Sequence, residues 1–489
     1  MTDQTWDYRA TIGIEVHAEL CTLSKMFCAC SADFFGKAPN TLVCPVCMGY
    51  PGALPVINQQ AIEYAVQVGL ALNCEIAAFS KFDRKNYTYP DLPKGYQISQ
   101  YDLPLCIDGW LDIEVDGRRK RVGIERAHME EDTAKTLHLG DASLVDYNRS
   151  GVPLLEIVTR PDIHSAEEAR QYLIKLRSIL RYLGVSSADM EKGAMRCEAN
   201  VSVSAAGSDE LGVKTEIKNL NSFRSVKQAI DYEIGRQIEV LESGGRVEQV
   251  TMGWNERENR TVFQRSKEGA ADYRYFPEPD LPPLELSREY VAALRAALPE
   301  LPDAKKERFV TEYGIKRQDA RVLVDDAAVA DFFQAVVSAA GPRQIEPQTV
   351  CNWMTGEFFR LLNERNAPIA QSPVGAQALA ELLAQVQRKV INANTGKEVL
   401  AQMFETGQPA PAIIKERGLA QISDRSDIDR LVAQAIRAHP DAVAQYLGGK
   451  ANAAGFLIGQ VMRASRGQAN PQIVRELMQK QLDALDRDR

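Results

Sequence analysis

The stretch Thr11–Leu20, T-I-G-I-E-V-H-A-E-L, decides how the rest of the chain is read. In an extended backbone Ile12, Ile14, Val16, Ala18 and Leu20 share one face, while Glu15, His17 and Glu19 project from the other. That is the pattern of an amphipathic strand. Its polar face sets a carboxylate and an imidazole two residues apart, about 7 Å at the rise of a strand and close enough to share one divalent cation. The plain alternative is a half-buried edge strand with solvated charges, and the decapeptide alone favours it. Later strands shift the balance, because they repeat the arrangement.

In Met195–Ser204 the residues Cys197, Ala199, Val201 and Val203 alternate with Arg196, Glu198, Asn200 and Ser202, and Lys214, Glu216 and Lys218 share one side of the strand that follows. Three strands with one charged face point to an α+β fold: an antiparallel sheet with helices packed on its apolar side and a charged floor on the other. Two helices are legible. Ser165 with Glu168 reads as a capping box, followed by Ala169, Tyr172, Leu173, Leu176, Ile179, Leu180 and Leu183 at helical spacing. Val226, Ile230, Ile234, Ile238 and Leu241 mark another over 225–242, stopped by Gly244-Gly245. Asp116-Gly117 signals a hairpin between a strand at 111–115 and its return over 120–125.

Two segments carry the charge that matters. E-R-A-H-M-E-E-D-T-A-K, Glu125–Lys135, reads first as a solvated charge run. In L-L-E-I-V, Leu154–Val158, Glu156 is surrounded by apolar neighbours, so its carboxylate must be protonated, paired or bound to metal. A metal or catalytic contact and a structural salt bridge to Arg149 are the two readings. The loop from Phe82 to Tyr101, dense in Tyr, Lys, Asp and Pro, has no helical period and is of the kind that carries function.

Composition bounds the rest. At 489 residues, 45% hydrophobic and 25% charged, the chain reads as an ordinary soluble protein of two or three domains. No apolar run reaches the roughly 18 residues of a membrane span and 1–10 hold no signal-peptide core, so a cytosolic location with no membrane partner is expected. The net charge of −8 is unevenly spread: 409–489 hold 12 Lys and Arg against 9 Asp and Glu, so a nucleic acid would be met by the C-terminal end. Nine cysteines include Cys28-x-Cys30 and Cys44-x-x-Cys47, spacing that in a cytosolic chain suggests a structural four-thiolate Zn²⁺ site, with unliganded buried cysteines as the alternative.

The chain has no phosphate-binding G-x-x-x-x-G-K-[ST] and no G-x-S-x-G elbow. Cys197 alternates onto an apolar face and reads as a buried hydrophobe rather than a nucleophile. What remains is oxygen-rich: Glu15, Glu131, Glu156 and Glu198 with the single imidazole of His17. Such a set favours Mg²⁺ or Mn²⁺, the equipment of phosphoryl transfer.

Six words, G-I-E-V-H at Gly13, K-F-D-R-K-N-Y at Lys81, H-M-E-E-D at His128, L-L-E-I-V at Leu154, E-I-K-N-L-N-S-F-R at Glu216 and D-Y-R-Y-F-P-E-P-D at Asp272, resemble signatures of the B subunits of tRNA-dependent amidotransferases, which convert Glu-tRNA(Gln) or Asp-tRNA(Asn) to the amide. The resemblance spans essentially the whole chain. It implies a catalytic cradle domain over 1–290, a helical domain over 291–408, and a helical tail over 409–489 that holds the tRNA. It implies ATP-dependent phosphorylation of the side-chain carboxylate and displacement of the phosphate by ammonia. By the match, Glu15, His17, Glu131 and Glu156 surround Mg²⁺, with Glu131 chosen over Glu130 or Asp132 on that ground alone. Lys81, Lys85, Arg149, Lys214 and Lys218 are the candidates for nucleotide phosphates or the acyl phosphate, with Glu198 beside them. Lys450, Arg463 and Arg466 are those for tRNA. The partners implied are an amidase-type glutaminase subunit, a small third subunit and the misacylated tRNA. Two departures stand out: Gln249-Val250-Thr251-Met252 replaces a Q-E-T-R word of many relatives, and Glu198 replaces an Asp. The rival reading is a non-catalytic subunit that docks the tRNA acceptor stem on the charged floor, against which the acid Glu156 argues.

Overall fold

The structure is a computed structural model and describes residues 8–266, 273–420, 424–448, 450, 452–465 and 468–487. The chain divides into two compact units, Met1–Pro302 and Asp303–Arg489.

The first unit is built on one nine-stranded sheet. Its strands are β1 (Tyr8–Glu19), β2 (Glu75–Ile76), β3 (Cys106–Val115), β4 (Arg118–Glu131), β5 (Pro153–Thr159), β6 (Met195–Ala205), β7 (Thr215–Leu220), β8 (Val250–Asn255) and β9 (Arg260–Ser266). They lie in the order β9-β8-β7-β6-β1-β5-β4-β3-β2, antiparallel except where β7 runs alongside β8. The T-I-G-I-E-V-H-A-E-L strand is therefore central, between β5 and β6, rather than at an edge. Its apolar side chains Ile12, Ile14, Val16 and Ala18 are fully buried.

Helices α1 (Gln59–Ala71), α2 (Ala166–Tyr182) and α3 (Phe223–Glu242) supply the other half of this core through Ala65, Val66, Leu173, Leu176, Val226 and Ile230. The first turn of α2 is capped as expected, Ser165 Oγ accepting from the Glu168 amide, although the Glu168 carboxylate turns back to the His164 amide instead. The hairpin at Asp116-Gly117 is present, both residues having positive φ (50° and 74°) as a tight two-residue turn requires. Its return strand runs on to Glu131, well past the expected 125, so the charge run is the end of β4.

A smaller sheet of Asp83–Asn86, Tyr96–Ser99 and Phe276–Pro277 flanks the main one. It brings Tyr273–Asp280 to the Phe82–Tyr101 loop. Arg84 fixes the junction, donating from Nε and Nη2 to the buried Glu278 carboxylate at 2.7 and 2.8 Å.

The first core runs on to Leu301. The second unit is helical throughout its described residues and holds two hydrophobic clusters. One extends from Phe309 through Ile414 and includes Ala410 and Ile413, and the other spans Ile428–Leu482. By packing, the seams fall near 302 and between Leu419 and Ile428. The last helix, Pro471–Arg487, is opened by Asn470, whose Oδ1 accepts from the Gln472 amide at 3.0 Å. Among the described residues no helix is long and apolar enough to cross a membrane.

Because Ile14 sits in the middle of the central strand against helices, Ile14→Ala is expected to destabilise the first unit by about 3 kcal/mol, read as a lower urea midpoint at unchanged m.

Candidate functional site

Strand register assembles the site. His17 on β1 pairs with Glu156 on β5 to one side and Arg196 on β6 to the other, and Glu156 pairs in turn with His128 on β4. A row His128, Glu156, His17, Arg196 thus crosses four strands on the face away from the core. Two residues further along their strands, Glu130 joins the row's end and Glu15 stands opposite Glu198.

His17, Glu130 and Glu156 converge. The His17 Nε2 atom lies 3.5 Å from Glu130 Oε1 and 3.4 Å from Glu156 Oε2, and His128 Nε2 lies 3.4 Å from the same Glu156 oxygen. One donor atom from each of His17, Glu130 and Glu156 fits within 4.8 Å of the others, the reach of a single ion. Glu156 is therefore held by two imidazoles, not by Arg149. Arg149 donates instead to the carbonyls of Thr133 and Ala134 and approaches Asp132 at 3.6 Å.

The electrostatics follow from two acids sharing one imidazole. Burial disfavours the His17 charge, but the hydrogen bond to Glu156 and the charges of Glu130 and Glu156 overcome it and raise the pKa to about 9. Burial pushes the Glu130 carboxyl up to about 7; burial opposes the Glu156 charge too, but His128, the hydrogen bond from His17 and Lys85 overcome it and hold Glu156 below the carboxylate range. His128 goes the other way, lowered to about 4 by burial. Glu15 is raised by burial and by the charges of Glu156 and Glu198, and Asn200 Nδ2 donates to its Oε1 at 2.8 Å. Protonated His17 is the positive charge that two buried carboxylates demand, and a divalent cation would serve the same need with the proton displaced. Two buried polar atoms on this face, His128 Nδ1 and Asn200 Oδ1, have no partner among the described residues. The donor set of carboxylate oxygens with one or two imidazoles fits a hard cation.

Glu131 does not join this cluster. Successive residues of a strand face opposite ways, so with Glu130 on the polar face Glu131 falls on the side of Ala127 and Met129. There its Oε1 accepts from Lys94 Nζ at 2.5 Å and from the Ile98 amide at 3.0 Å. The acid that converges with His17 and Glu156 is Glu130, and the alternation of Ala127, His128, Met129, Glu130 is the signal that identifies it.

Of the expected cations, Lys85 is the one aimed at the cluster. Burial opposes its charge, but Glu130, Tyr275 and Glu156 raise its pKa. The rings of Tyr87 and Tyr273 lie 6.0 and 5.2 Å from its Nζ. Lys81 is engaged elsewhere, by Asp83 and Asp102. Lys218 donates to both Glu198 oxygens at 2.7 Å, beside Glu15, and Lys214 is exposed at the head of β7. A second buried group, missed in the sequence, lies beyond Arg196. Glu19 is pushed up to about 8 by burial and by Asp132, while Arg196 donates to Asp132 at 2.7 Å.

The four cysteines also meet, with the sulfurs of Cys28, Cys30, Cys44 and Cys47 within 4.8 Å of one another. The Cys47 thiol is pulled down to about 5, first by its hydrogen bond with Cys28. Four convergent sulfurs, one already inclined to ionise, suit a tetrahedral thiolate metal. In the second unit Lys450 and Arg463 are exposed, and Arg466 lies outside the described residues.

Residues 10–292 match the family model described as the GatB/GatE catalytic domain, and 331–482 match one described as the GatB domain. The B subunit of the aspartyl/glutamyl-tRNA(Asn/Gln) amidotransferase of Caldanaerobacter subterraneus subsp. tengcongensis is 53% identical over 476 residues, 97% of this chain and 99% of that protein. The proteins of the same name from Roseiflexus castenholzii and Moorella thermoacetica are 54% and 52% identical over 479 and 480 residues, in each case 97% of this chain, and 99% and 100% of their own lengths.

The opposed histidines predict a pH signature. His17, raised from 6.5 to about 9, contributes stability that is complete below pH 6.5 and is lost as pH rises through about 9; His128, lowered to about 4, costs stability as pH falls below 6.5. NMR titration of the metal-free chain is expected to give midpoints near 9 and 4, with the first moving down when a divalent cation is added.

Proposed function

The chain belongs to the GatB/GatE family of tRNA-dependent amidotransferase B subunits, and on that premise we propose that its acid and histidine cluster is the site where the side-chain carboxylate of a misacylated Glu-tRNA(Gln) or Asp-tRNA(Asn) is activated. A carboxylate resists ammonia until its oxygen becomes a leaving group. In the proposed reaction a carboxylate oxygen attacks the γ-phosphorus of ATP and ADP departs. Ammonia then attacks the carbonyl carbon and phosphate leaves with the C–O bond pair.

The observation that supports this reading is the convergence of His17, Glu130 and Glu156 beside Lys85. These three side chains, with Glu15 alongside, would hold Mg²⁺, which neutralises phosphate charge when bound. Lys85 faces the same cluster and would take phosphoryl oxygens of the nucleotide or acyl phosphate. Arg149, Lys81 and Lys218 already hold protein partners, so their part is to fix Asp132, the Phe82–Tyr101 loop and Glu198. Glu131, bonded to Lys94, stands outside this proposed set. A docking surface for RNA phosphate is poorly served by this face, since phosphate repels buried carboxylates.

The cysteine quartet would hold a structural Zn²⁺, closed to substrate because four thiolates fill a tetrahedral ion. Ammonia would come from a separate amidase-type glutaminase subunit, with a small third subunit completing the complex in the cytoplasm. The helical segment beyond Leu419 would hold the tRNA, with exposed Lys450 and Arg463, and Arg466, against its phosphates.

Glu130→Ala and Glu156→Ala are each expected to lower ATP-dependent amidation at least a hundredfold in the reconstituted complex while changing tRNA affinity less than about threefold. Loss of tRNA binding with normal turnover of bound tRNA would reverse the assignment. Ending the chain after Ala420, which keeps the helix Ala410–Glu416 in its core, is expected to weaken tRNA binding and flatten the slope of affinity against salt.

A further inference from the structure

Lys25 belongs to neither the acid cluster nor the cysteine quartet, yet it is among the largest fully buried side chains of the protein, with no exposed surface. Lysine is rarely found so deep without a partner of opposite charge, because its ammonium loses all hydration there. Its Nζ lies 3.8 Å from Cys47 Sγ and 3.3 Å from the carbonyl oxygen of Tyr147. No carboxylate lies within 4.0 Å of it among the described residues. The nearby Glu131 is taken up by Lys94 and the Ile98 amide.

The backbone places the same residue at a junction. Its amide donates to the Cys30 carbonyl at 2.9 Å, and the next amide, of Met26, donates to the Gly151 carbonyl at 2.7 Å. The Lys25 stem also lies against Gly151: a Cβ there would meet Lys25 Cδ at 3.5 Å and Cys47 Cβ at 3.6 Å, and φ at Gly151 is +85°, a conformation that suits glycine. Lys25 is thus held between the cysteine knuckle and the 147–151 loop, which leads into the strand carrying Glu156.

A buried cation whose nearest anionic candidate is sulfur identifies that sulfur as its counter-charge. A divalent ion bound to four thiolates carries a net charge of −2, buried as poorly as any other anion unless a cation or N–H donors face the sulfurs. The Cys44 amide, 3.2 Å from Cys47 Sγ, is one such donor. We propose that Lys25 is the built-in counter-cation of the four-cysteine metal site, and that through Tyr147 it ties the metal-bound knuckle to the loop preceding the Glu156 strand. This rests on the zinc reading of the cysteines, and Lys25 acts as a positioning residue without touching substrate.

The test compares the full chain with Lys25→Met, which keeps the stem and removes the charge, and Lys25→Arg, which keeps the charge. Zinc content is measured by elemental analysis, and zinc loss by the rate of transfer to a chromophoric chelator. The wild type is expected to hold about one zinc, Lys25→Met to release it about 10 to 100 times faster, and Lys25→Arg to stay within about threefold of wild type. A second readout needs no variant: stripping zinc from the wild type is expected to raise amide hydrogen exchange over 147–152. Zinc present in the wild type, with release unchanged in Lys25→Met or with exchange at 147–152 unmoved by stripping, would overturn the role of Lys25 and leave the zinc reading standing. A wild type without zinc would instead remove the zinc reading, and the proposal with it.

Discussion

Two buried carboxylates, Glu130 and Glu156, share the one imidazole of His17, and this contact governs the arrangement around it. Acids that close to one another are tolerable only if a positive charge stands between them. In the chain alone that charge is the His17 proton, supported by Lys85. The sheet must then deliver three side chains from β1, β4 and β5 to one point. Antiparallel pairing does so without help from loops: directly paired His17 and Glu156 stand about 5 Å apart on one face, and Glu130 joins them from the diagonal position opposite Leu154. Moving any of these strands by one residue would turn its acids into the core and its aliphatic residues outward.

How much of this is legible in the sequence depends on whether the signal is periodic. β1 and β6 alternate cleanly, so their polar faces and Cys197 in the core are readable from residue type alone. The helices α2 and α3, the Asp116-Gly117 turn and the cysteine spacing are likewise local signals. The Glu125–Lys135 segment hides its period, because Glu130 and Glu131 are chemically identical and only the apolar Ala127 and Met129 reveal which of them faces the core. Partnership is not periodic at all. Nothing in K-F-D-R-K-N-Y distinguishes Lys81, held by Asp83 and the distant Asp102, from Lys85, which faces the acid cluster. The ends of the first core and of Phe309–Ile414 are similarly set by long-range packing.

The floor around the cluster is densely paired. Arg196 and Arg149 serve Asp132, Lys218 serves Glu198, and Asn200 serves Glu15. Each of these contacts fixes an acid or a base that would otherwise be free to collapse onto His17. Such pairs contribute little net stability once desolvation is counted. Their effect is geometric, since the rotamers of Glu15, Glu198 and Asp132 are all held from outside the cluster. Glu198 is held by Lys218, which grips both of its oxygens at 2.7 Å.

Glu130 and Glu131 are consecutive, so the end of β4 serves two chambers at once. On one side Glu130 meets His17; on the other Glu131 meets Lys94 at the wall of a cavity of about 220 Å³ lined also by Lys25, Cys28, Cys47 and Gly151. The peptide bond between them is planar and both residues pair with β5, so neither carboxylate can shift far without moving the other. A change in the cysteine knuckle that displaced Gly151 would therefore reach Glu131 by contact and Glu130 by covalent geometry. The knuckle is remote from the acid cluster in sequence only; in the fold it shapes the reverse side of the same strand.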